Sequence, residues 1–216
     1  MGFLRGRMAK QKKILILFAH PRLSTSVVQR AMNHAAAGLE NVTFHDLYAA
    51  YPDFLIDVKR EQELLLSHDI FVFQHPFYWY SSPAIIKEWL DLVLENGWAY
   101  GTGGSKLHRK IMMNAISTGG SSDAYRDNGR NRFEITHLLA PFDQSAHLCG
   151  MAYLAPFVIH TGRHMSAAEL SGEAEKYREF LADLRDGRAD PLMRLAKGYD
   201  LPKAFGALKA RAEHAS

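Results

Sequence analysis

Residues 20–29 carry the side chains from which an anion site can be built. Ser24, Thr25 and Ser26 follow one another immediately before a segment of helical period. Hydroxyl groups and unpaired backbone N–H groups at the start of a helix favour a bound anion, and His20 can add a further donor. The segment therefore predicts a phosphate site, with ordinary helix capping by Ser24 or Ser26 as the alternative.

A second segment, residues 74–83, places four aromatic residues in a row where a loop is expected: Phe77, Tyr78, Trp79 and Tyr80. Large rings in water are unfavourable unless a flat ligand or a protein surface covers them. The row therefore indicates an aromatic ligand or a dimer interface. Packing against the following helix is the alternative.

A third segment begins with Ser117, Thr118, Gly119 and Gly120. Glycine lets the backbone approach a ligand closely, and successive N–H groups favour negative charge. We expect the N–H groups of residues 118–120 to stabilise charge on a ligand edge, as an oxyanion hole does. The three segments together suit a mononucleotide that needs a phosphate site, a wall for its ring and donors for its polar edge.

Several other kinds of site are excluded. The first segment lacks the G-x-G-x-x-G of a Rossmann nicotinamide site, and the chain contains neither G-x-x-x-x-G-K-[ST] nor G-x-S-x-G. Cys149 lies in an apolar run, which predicts core packing rather than nucleophilic chemistry. His160 and His164 are spaced i, i+4, but Gly162 between them argues against a shared helical face, so we expect no metal site.

The composition indicates one globular domain. The 216 residues are 47% hydrophobic, and 26 basic against 23 acidic side chains leave a net charge of +3. This near balance gives no electrostatic sign of nucleic-acid binding. A single cysteine favours a reducing, cytoplasmic location. The longest apolar runs are shorter than the ~20 residues of a membrane-spanning helix, so we expect none.

The elements that must position the three segments alternate along the chain. Short apolar runs predict five strands, at 14–19, 42–47, 70–74, 111–117 and 154–160. Helical period predicts helices at 26–39, 57–67, 82–96, 131–150 and 166–185. Such alternation is typical of an α/β fold with a doubly wound, mostly parallel sheet. Ligands of such sheets bind beyond the carboxyl ends of the strands, where all three segments fall.

Local signals refine two of these helices. Ser82 followed by Pro83 predicts a capped helix start, with Gly97 just past its end. Ser166 and Glu169 have the spacing of a capping box. The charges at 61–63 are expected to lie on a solvated helix face.

Six segments resemble the flavodoxin-like NAD(P)H:quinone oxidoreductases, and above all their branch of ancillary proteins for glutathione-gated potassium efflux antiporters. They are AHP-x-x-S-T-S at 19–26, LYAAYPDFLID at 47–57, QHPFYWYSSPAIIKEWLD at 74–91, GWAYG-x-GG at 97–104, STGG at 117–120 and CG-x-x-YLAPF-x-x-H at 149–160. Together they extend the resemblance over roughly residues 13–185, and we expect an FMN-binding domain at 13–187. The residues on either side predict a ragged N-terminus at 1–12 and a C-terminal tail at 188–216.

The same resemblance implies a sheet of order 2-1-3-4-5, a homodimer, and FMN rather than FAD as the cofactor. NAD(P)H would reduce the flavin at N5 and a quinone would reoxidise it in a ping-pong cycle, with the protein supplying stacking, orientation and electrostatics. The phosphate contacts would come from His20, Ser26, Val27, Val28 and Gln29. Phe77, Tyr78, Trp79 and Tyr80 would line the ring, and Ser117, Thr118, Gly119 and Gly120 would contact its polar edge.

One departure from the family concerns proton chemistry. Animal quinone reductases of this fold have a tyrosine and a histidine after the glycine pair. Here Tyr125 stands at the tyrosine spacing and is the candidate catalytic residue, but Asn131 stands at the histidine spacing. The alternative function is a flavin-containing regulatory subunit of a potassium efflux antiporter, with little turnover, peripheral on the inner face of the cell membrane.

Overall fold

The structure, a computed structural model, describes residues 11–160 and 165–188. The expected ragged N-terminus and C-terminal tail therefore lie outside the described residues, except for positions 11, 12 and 188. Gly162 and His164 also lie outside them. Within the described residues, no helix is both long enough and apolar enough to cross a bilayer.

The sheet has the predicted topology. Its strands are β1 (Ile14–Phe18), β2 (Val42–Asp46), β3 (Ile70–Pro76), β4 (Ile111–Ser117), β5 (Ala152–Tyr153) and β6 (Phe157–Ile159). All of them pair in parallel, in the order β2-β1-β3-β4-β5, and β6 also pairs with β4. The flavodoxin-like, doubly wound order 2-1-3-4-5 is confirmed.

The fifth sheet position differs from the expected continuous strand at 154–160. Two short strands, β5 and β6, share this position along β4. The Leu154 N–H still reaches the Met112 carbonyl, at 2.9 Å, before the pairing stops. Pro156 has no N–H to donate, which accounts for the break in the ladder.

Seven helices flank the sheet in the described residues: α1 (Val27–Ala36), α2 (Leu47–Ala50), α3 (Val58–Ser67), α4 (Ala84–Val93), α5 (Ile135–Leu138), α6 (Ala140–Leu148) and α7 (Ala167–Asp186). Two 3-10 turns, Leu23–Thr25 and Ser122–Tyr125, precede α1 and follow β4. The expected helix at 131–150 was too long. The chain becomes helical only at Ile135 and starts again at α6, where Pro141 occupies the first turn.

The capping predictions had opposite outcomes. Ser166 and Glu169 form the predicted capping box at the start of α7. The predicted cap of α4 is wrong, because Pro83 itself occupies the capping position and no side chain bonds the first turn. Gly97 has a φ of 80° but lies four residues beyond Val93, the last residue of α4.

Side chains that alternate along the strands pack on two layers of helices. On β1, Ile14, Ile16 and Phe18 join the core beneath α1 and α7. Leu15 and Leu17 join the core beneath α3, α4 and α6. Strands buried on both faces read as continuous apolar runs, which is why these strands were recognisable from sequence.

The expectation that residue 61 is solvated is wrong. The Glu61 side chain is fully buried and accepts hydrogen bonds from Tyr51 Oη (2.5 Å), Trp89 Nε1 (2.8 Å) and His45 Nε2 (2.7 Å). Burial by itself raises the pKa of this carboxyl, but the three hydrogen bonds outweigh burial and lower the pKa below its ordinary value. The pattern of charges at 61–63 could not reveal these partners, which come from β2, α4 and the segment after α2.

Cys149 packs in the core as predicted. Its side chain is buried, and burial raises the pKa of the thiol to about 11. At neutral pH the group is therefore a thiol rather than a nucleophilic thiolate.

Candidate functional site

The three segments singled out in the sequence meet at the carboxyl edge of the sheet. Backbone hydrogen bonds extend the pairing past the strand ends: Ala19 donates to Gln74 (3.0 Å), and Phe77 donates to Ser117 (2.8 Å). Thr118 donates to Ile159 at 3.0 Å. These bonds hold the loops after β1, β3, β4 and β6 side by side.

A cavity of about 380 Å³ lies at the start of α1, and we call it the phosphate-side cavity. Four of the five residues predicted to hold a phosphate line it: His20, Ser26, Val27 and Val28. Its other walls come from the third and fourth strand loops, through Pro76, Phe77, Tyr78, Ser117, Thr118 and Gly119, and from Thr25.

The hydrogen-bond donors of the phosphate-side cavity are arranged by contacts within the first turn of α1. Ser26 caps α1 by accepting a hydrogen bond from the Gln29 N–H at 3.2 Å. The N–H groups of Val27 and Val28 donate to no acceptor among the described residues. A helix start with unpaired N–H groups favours an anion.

His20 adds a further donor to this cavity. Its Nδ1 accepts a hydrogen bond from the Arg22 N–H at 3.0 Å, so the neutral ring carries its proton on Nε2. Burial lowers the pKa of His20, although the Asp46 carboxylate opposes the shift. The ring is therefore a neutral hydrogen-bond donor at pH 7.

Gln29 is the exception among the predicted phosphate residues, because its side chain lies outside both cavities of the site. It is fully buried and donates to Ser117 Oγ at 2.9 Å. Gln74 donates to Gln29 Oε1 at 3.0 Å and receives a bond from Tyr177 Oη at 3.0 Å. The Gln29 side chain therefore connects α1 to Ser117 and Gln74 beneath the phosphate-side cavity.

A second cavity, of about 310 Å³, adjoins the first, and we call it the ring-side cavity. Both cavities are lined by Phe77 and Gly119. The ring-side cavity also contains Trp79, Tyr80, Gly120, Ala124, Tyr125, Arg130 and Asn131. Tyr125, the candidate catalytic residue, and Asn131 therefore line the same cavity.

The aromatic row is held in an unusual turn. Ser81 donates to the Tyr78 carbonyl at 2.9 Å, and the two residues between them, Trp79 and Tyr80, have φ values of 50° and 60°. Positive φ at both central positions is typical of a type I′ turn, which usually contains asparagine and glycine. For aromatic residues this conformation costs roughly 1–2 kcal/mol each. Strain of this kind is concentrated at functional sites.

The turn exposes most of the aromatic row. Trp79 is 94% exposed, and Tyr78 and Tyr80 are about half exposed, whereas Phe77 is buried. Phe77 packs edge-on against Tyr125, with ring centroids 5.9 Å apart. The position of Phe77 is therefore explained by packing within the protein. The other three rings are exposed to a ligand or a partner.

Gly119 and Gly120 have the properties expected of residues that contact the polar edge of a ligand. The N–H groups of Gly119 and Gly120 donate to no acceptor among the described residues. A side chain at position 120 would lie 3.2 Å from Tyr125 Cε2, whereas a Cβ at Gly119 would meet nothing within 4 Å. A side chain at Gly120 would therefore crowd the Tyr125 ring and require it to shift by a few tenths of an ångström.

Sequence analysis missed two residues at this site, Arg130 and His160. Arg130 lines the ring-side cavity but belongs to an irregular segment whose course a hydrophobic pattern cannot predict. His160 follows β6 and lies 3.1 Å, through Nδ1, from Thr118 Oγ1. From the sequence this histidine was identified as a candidate metal ligand and as the last residue of the family motif at 149–160, but not as a residue of the flavin site. Within the described residues, no group of three or more His, Cys, Asp or Glu could hold a metal ion.

The residues present fit a flavin mononucleotide. The phosphate-side cavity offers the Val27 and Val28 N–H groups and the His20 ring to a phosphate, while the ring-side cavity has aromatic walls and the glycine N–H groups. The two cavities touch at Phe77 and Gly119, so one ligand with an anionic end and a flat end can occupy both.

Comparison with known proteins agrees with this geometry. The family model Flavodoxin_2, described as a flavodoxin-like fold, matches residues 12–181. The glutathione-regulated potassium-efflux system ancillary protein KefG of Shigella flexneri serotype 5b (strain 8401) is 47% identical over 176 residues. The matched region covers 82% of this chain and 96% of KefG.

Three solved structures are also similar. General stress protein 14 of Treponema denticola, in complex with FMN, is 38% identical with a TM-score of 0.76, covering 80% of this chain and 99% of that one. An NADPH-quinone reductase from P. pentosaceus is 30% identical with a TM-score of 0.71, covering 78% and 96%. A protein described as a thermophilic tryptophan halogenase from Streptomycin violaceusniger is 44% identical with a TM-score of 0.76, covering 77% and 97%.

Proposed function

The chain belongs to the flavodoxin-like fold family, and on that basis we propose that it is an FMN-dependent NAD(P)H:quinone oxidoreductase. One observation carries the proposal: two adjoining cavities present phosphate donors at one end and an aromatic wall with unpaired N–H groups at the other. The FMN complex of a 38% identical protein and the reductase activity named for a 30% identical protein support it.

Each group of residues has a distinct role in this proposal. When bound, FMN supplies the ring that takes up a hydride from the nicotinamide and passes two electrons on to the quinone. The N–H groups of Gly119 and Gly120 stabilise negative charge at the polar edge of the ring. Tyr125 holds its proton at neutral pH, because burial raises the pKa of its hydroxyl, so it can donate to an oxygen in the ring-side cavity.

The exposed aromatic row supports a homodimer as the working form. Trp79 and Tyr80 project beside the ring-side cavity, where a second copy of the chain can cover them and exclude water. Exposed apolar groups of this size favour burial against another surface. We place the dimer in the cytoplasm.

The first experiment tests cofactor binding. We expect the purified chain, reconstituted with FMN, to show a bound-flavin spectrum and to quench flavin fluorescence. Gly120→Val should abolish this binding, because the new side chain displaces the Tyr125 ring. Gly172→Val is the matched control, since a side chain there meets nothing within 4 Å on the exposed side of α7. Wild-type protein that fails to retain FMN contradicts the proposal.

Turnover tests the activity itself. We expect menadione-dependent oxidation of NADPH or NADH, with the parallel double-reciprocal lines of a ping-pong cycle. Activity without added FMN in a flavin-free preparation, or no activity with FMN fully bound, contradicts the reductase assignment.

A second candidate function rests on the 47% identity to KefG, an ancillary protein of a potassium-efflux system. Here the FMN-loaded dimer docks on the cytoplasmic face of a membrane antiporter and regulates it, with little turnover. Full flavin occupancy without NAD(P)H oxidation, together with co-purification of the chain with an antiporter, favours this candidate over the enzyme.

A further inference from the structure

Thr118, Tyr125 and His160 form a polar cluster between the two cavities, which we call the Thr118 cluster. Thr118 Oγ1 lies 3.1 Å from His160 Nδ1 and donates to the Gly120 carbonyl at 2.8 Å. The Tyr125 and His160 rings lie 5.8 Å apart, centroid to centroid.

The sheet itself brings this cluster together. Ser117 of β4 is in register with Ile159 of β6, and the Thr118 N–H continues the pairing by donating to the Ile159 carbonyl. The next residue on each chain segment is therefore Thr118 on one side and His160 on the other. Thr118 is only 4% exposed, so its hydroxyl depends on protein partners rather than on water.

The directions of the hydrogen bonds can be deduced. The Thr118 hydroxyl has one hydrogen, which it gives to the Gly120 carbonyl, so its oxygen accepts from His160. This hydrogen bond requires a proton on His160 Nδ1 and leaves Nε2 as the unprotonated nitrogen of the neutral ring.

We propose that His160 is a positioning residue of the flavin site: its Nδ1–H fixes the Thr118 hydroxyl and, through Thr118, the Gly120 backbone. The inference rests on the proposed function for the identity of the ligand. The ring-side cavity has no histidine in its lining, and position 131 is asparagine. His160 reaches the site through Thr118, which lines the phosphate-side cavity.

The electrostatic environment suits this role. Burial lowers the pKa of His160, and the contact with the Gly120 carbonyl only partly opposes the shift. The ring is therefore neutral at pH 7, and it positions Thr118 through a hydrogen bond rather than through charge.

Three substitutions at position 160 separate a positioning role from simple packing. Asparagine places its amide nitrogen where histidine has Nδ1, glutamine places it where histidine has Nε2, and leucine has no donor. We expect His160→Asn to bind FMN within about twofold of wild type, and His160→Gln and His160→Leu to bind about tenfold more weakly, as for one lost hydrogen bond. Flavin fluorescence quenching measures the affinities, and His137→Asn, on the exposed side of α5, is the control.

A spectroscopic measurement needs neither FMN nor a substitution that perturbs folding. In protein labelled with ¹⁵N-histidine, long-range ¹H–¹⁵N correlations distinguish the two neutral tautomers, and the His160→Asn spectrum assigns the signal. We expect the Nδ1–H tautomer at pH 7.5.

The outcomes distinguish this inference from the proposed function. The Nε2–H tautomer, or equal FMN affinity in wild type, His160→Gln and His160→Leu, overturns the role of His160 alone. Equal weakening in His160→Asn and His160→Leu also overturns it, because the donor would then not matter. Wild-type protein that binds no FMN while showing the Nδ1–H tautomer overturns the proposed function and removes the site on which His160 was to act.

Discussion

The Gln29 side chain donates a hydrogen bond to Ser117 Oγ at 2.9 Å and so joins the first turn of α1 to the end of β4. One partner lies beneath the phosphate-side cavity and the other at its wall. Gln74 and Tyr177 continue the chain of hydrogen bonds into the core beneath α7. The relative position of the two loops is therefore set by a buried, fully paired network, which stabilises one arrangement.

Gln29→Leu tests this connection. The change leaves the Gln74 amide and the Ser117 hydroxyl each without one partner, so we expect the free energy of unfolding to fall by about 1–3 kcal/mol. FMN affinity should fall by about tenfold, because the loops lose their relative position. Urea unfolding and flavin fluorescence measure the two effects. Gln144→Leu, the same change at an exposed position of α6, should leave both near wild type.

The phosphate-side cavity should discriminate FMN from riboflavin, which has the same ring but no phosphate. Ser26→Ala removes the α1 cap, and we expect about tenfold weaker FMN binding with riboflavin affinity changed by less than about twofold. Ser24→Ala is the control from the same loop, since Ser24 is exposed and does not line the cavity. If Ser26→Ala weakened the binding of FMN and riboflavin equally, the phosphate of FMN would not bind in this cavity. Fluorescence titrations with the two flavins provide the comparison.

Arg130 should contribute to binding of the electron donor. It lines the ring-side cavity, and it forms no salt bridge with a carboxylate of the described residues. NAD(P)H carries phosphates, so Arg130→Gln should raise its KM by about three- to tenfold with little change in kcat, and the effect should shrink at high salt. Arg126→Gln is the matched control, because Arg126 pairs with Asp123 at 2.7 Å and lies outside the cavity. Similar KM values for the two variants would argue against the assignment.

His75 should make stability depend on pH. The fully buried ring donates from Nδ1 to the Pro76 carbonyl (2.9 Å) and accepts at Nε2 from Asn114 (2.9 Å), and burial lowers its pKa to about 4. The unfolded chain binds this proton near pH 6.5 but the folded chain only near pH 4. Stability is therefore fully present above pH 6.5 and is lost as the pH falls towards 4, by about 3 kcal/mol.

The measurement compares wild type with His75→Gln, which does not titrate. Urea unfolding of both proteins is measured between pH 7.5 and pH 4. The difference between their free energies of unfolding should change through this window, because the contributions of all other titrating groups cancel. A pH-independent difference would mean that folding does not lower the pKa of His75.

Glu61→Gln should be among the more destabilising isosteric changes in the chain. Tyr51, Trp89 and His45 all direct donors at the two carboxylate oxygens, and an amide nitrogen cannot accept from them. We expect a loss of about 3 kcal/mol in the free energy of unfolding. Glu63→Gln, on the same helix, is the control. Equal urea midpoints for the two variants would contradict the buried hydrogen-bond cluster around Glu61.

The sequence by itself determined four of the five expected strands and the parallel arrangement of the sheet. Apolar runs such as residues 14–18 are long enough to be buried on both faces, and only a parallel sheet between two helical layers accommodates them. Ser166 and Glu169 predicted a capping box correctly because both hydrogen bonds connect residues three positions apart. Local chemistry of this kind is visible in sequence.

Tertiary structure decided which polar residues act together. Glu61 was assigned to the surface because its partners come from other elements. The Gln29 side chain, expected at a phosphate, donates to Ser117 in the structure. Thr118 and His160 are 42 positions apart, and only the β4–β6 register brings them into contact. Backbone directions at strand ends follow from the pattern of apolar residues, but side-chain directions depend on packing against elements distant in sequence.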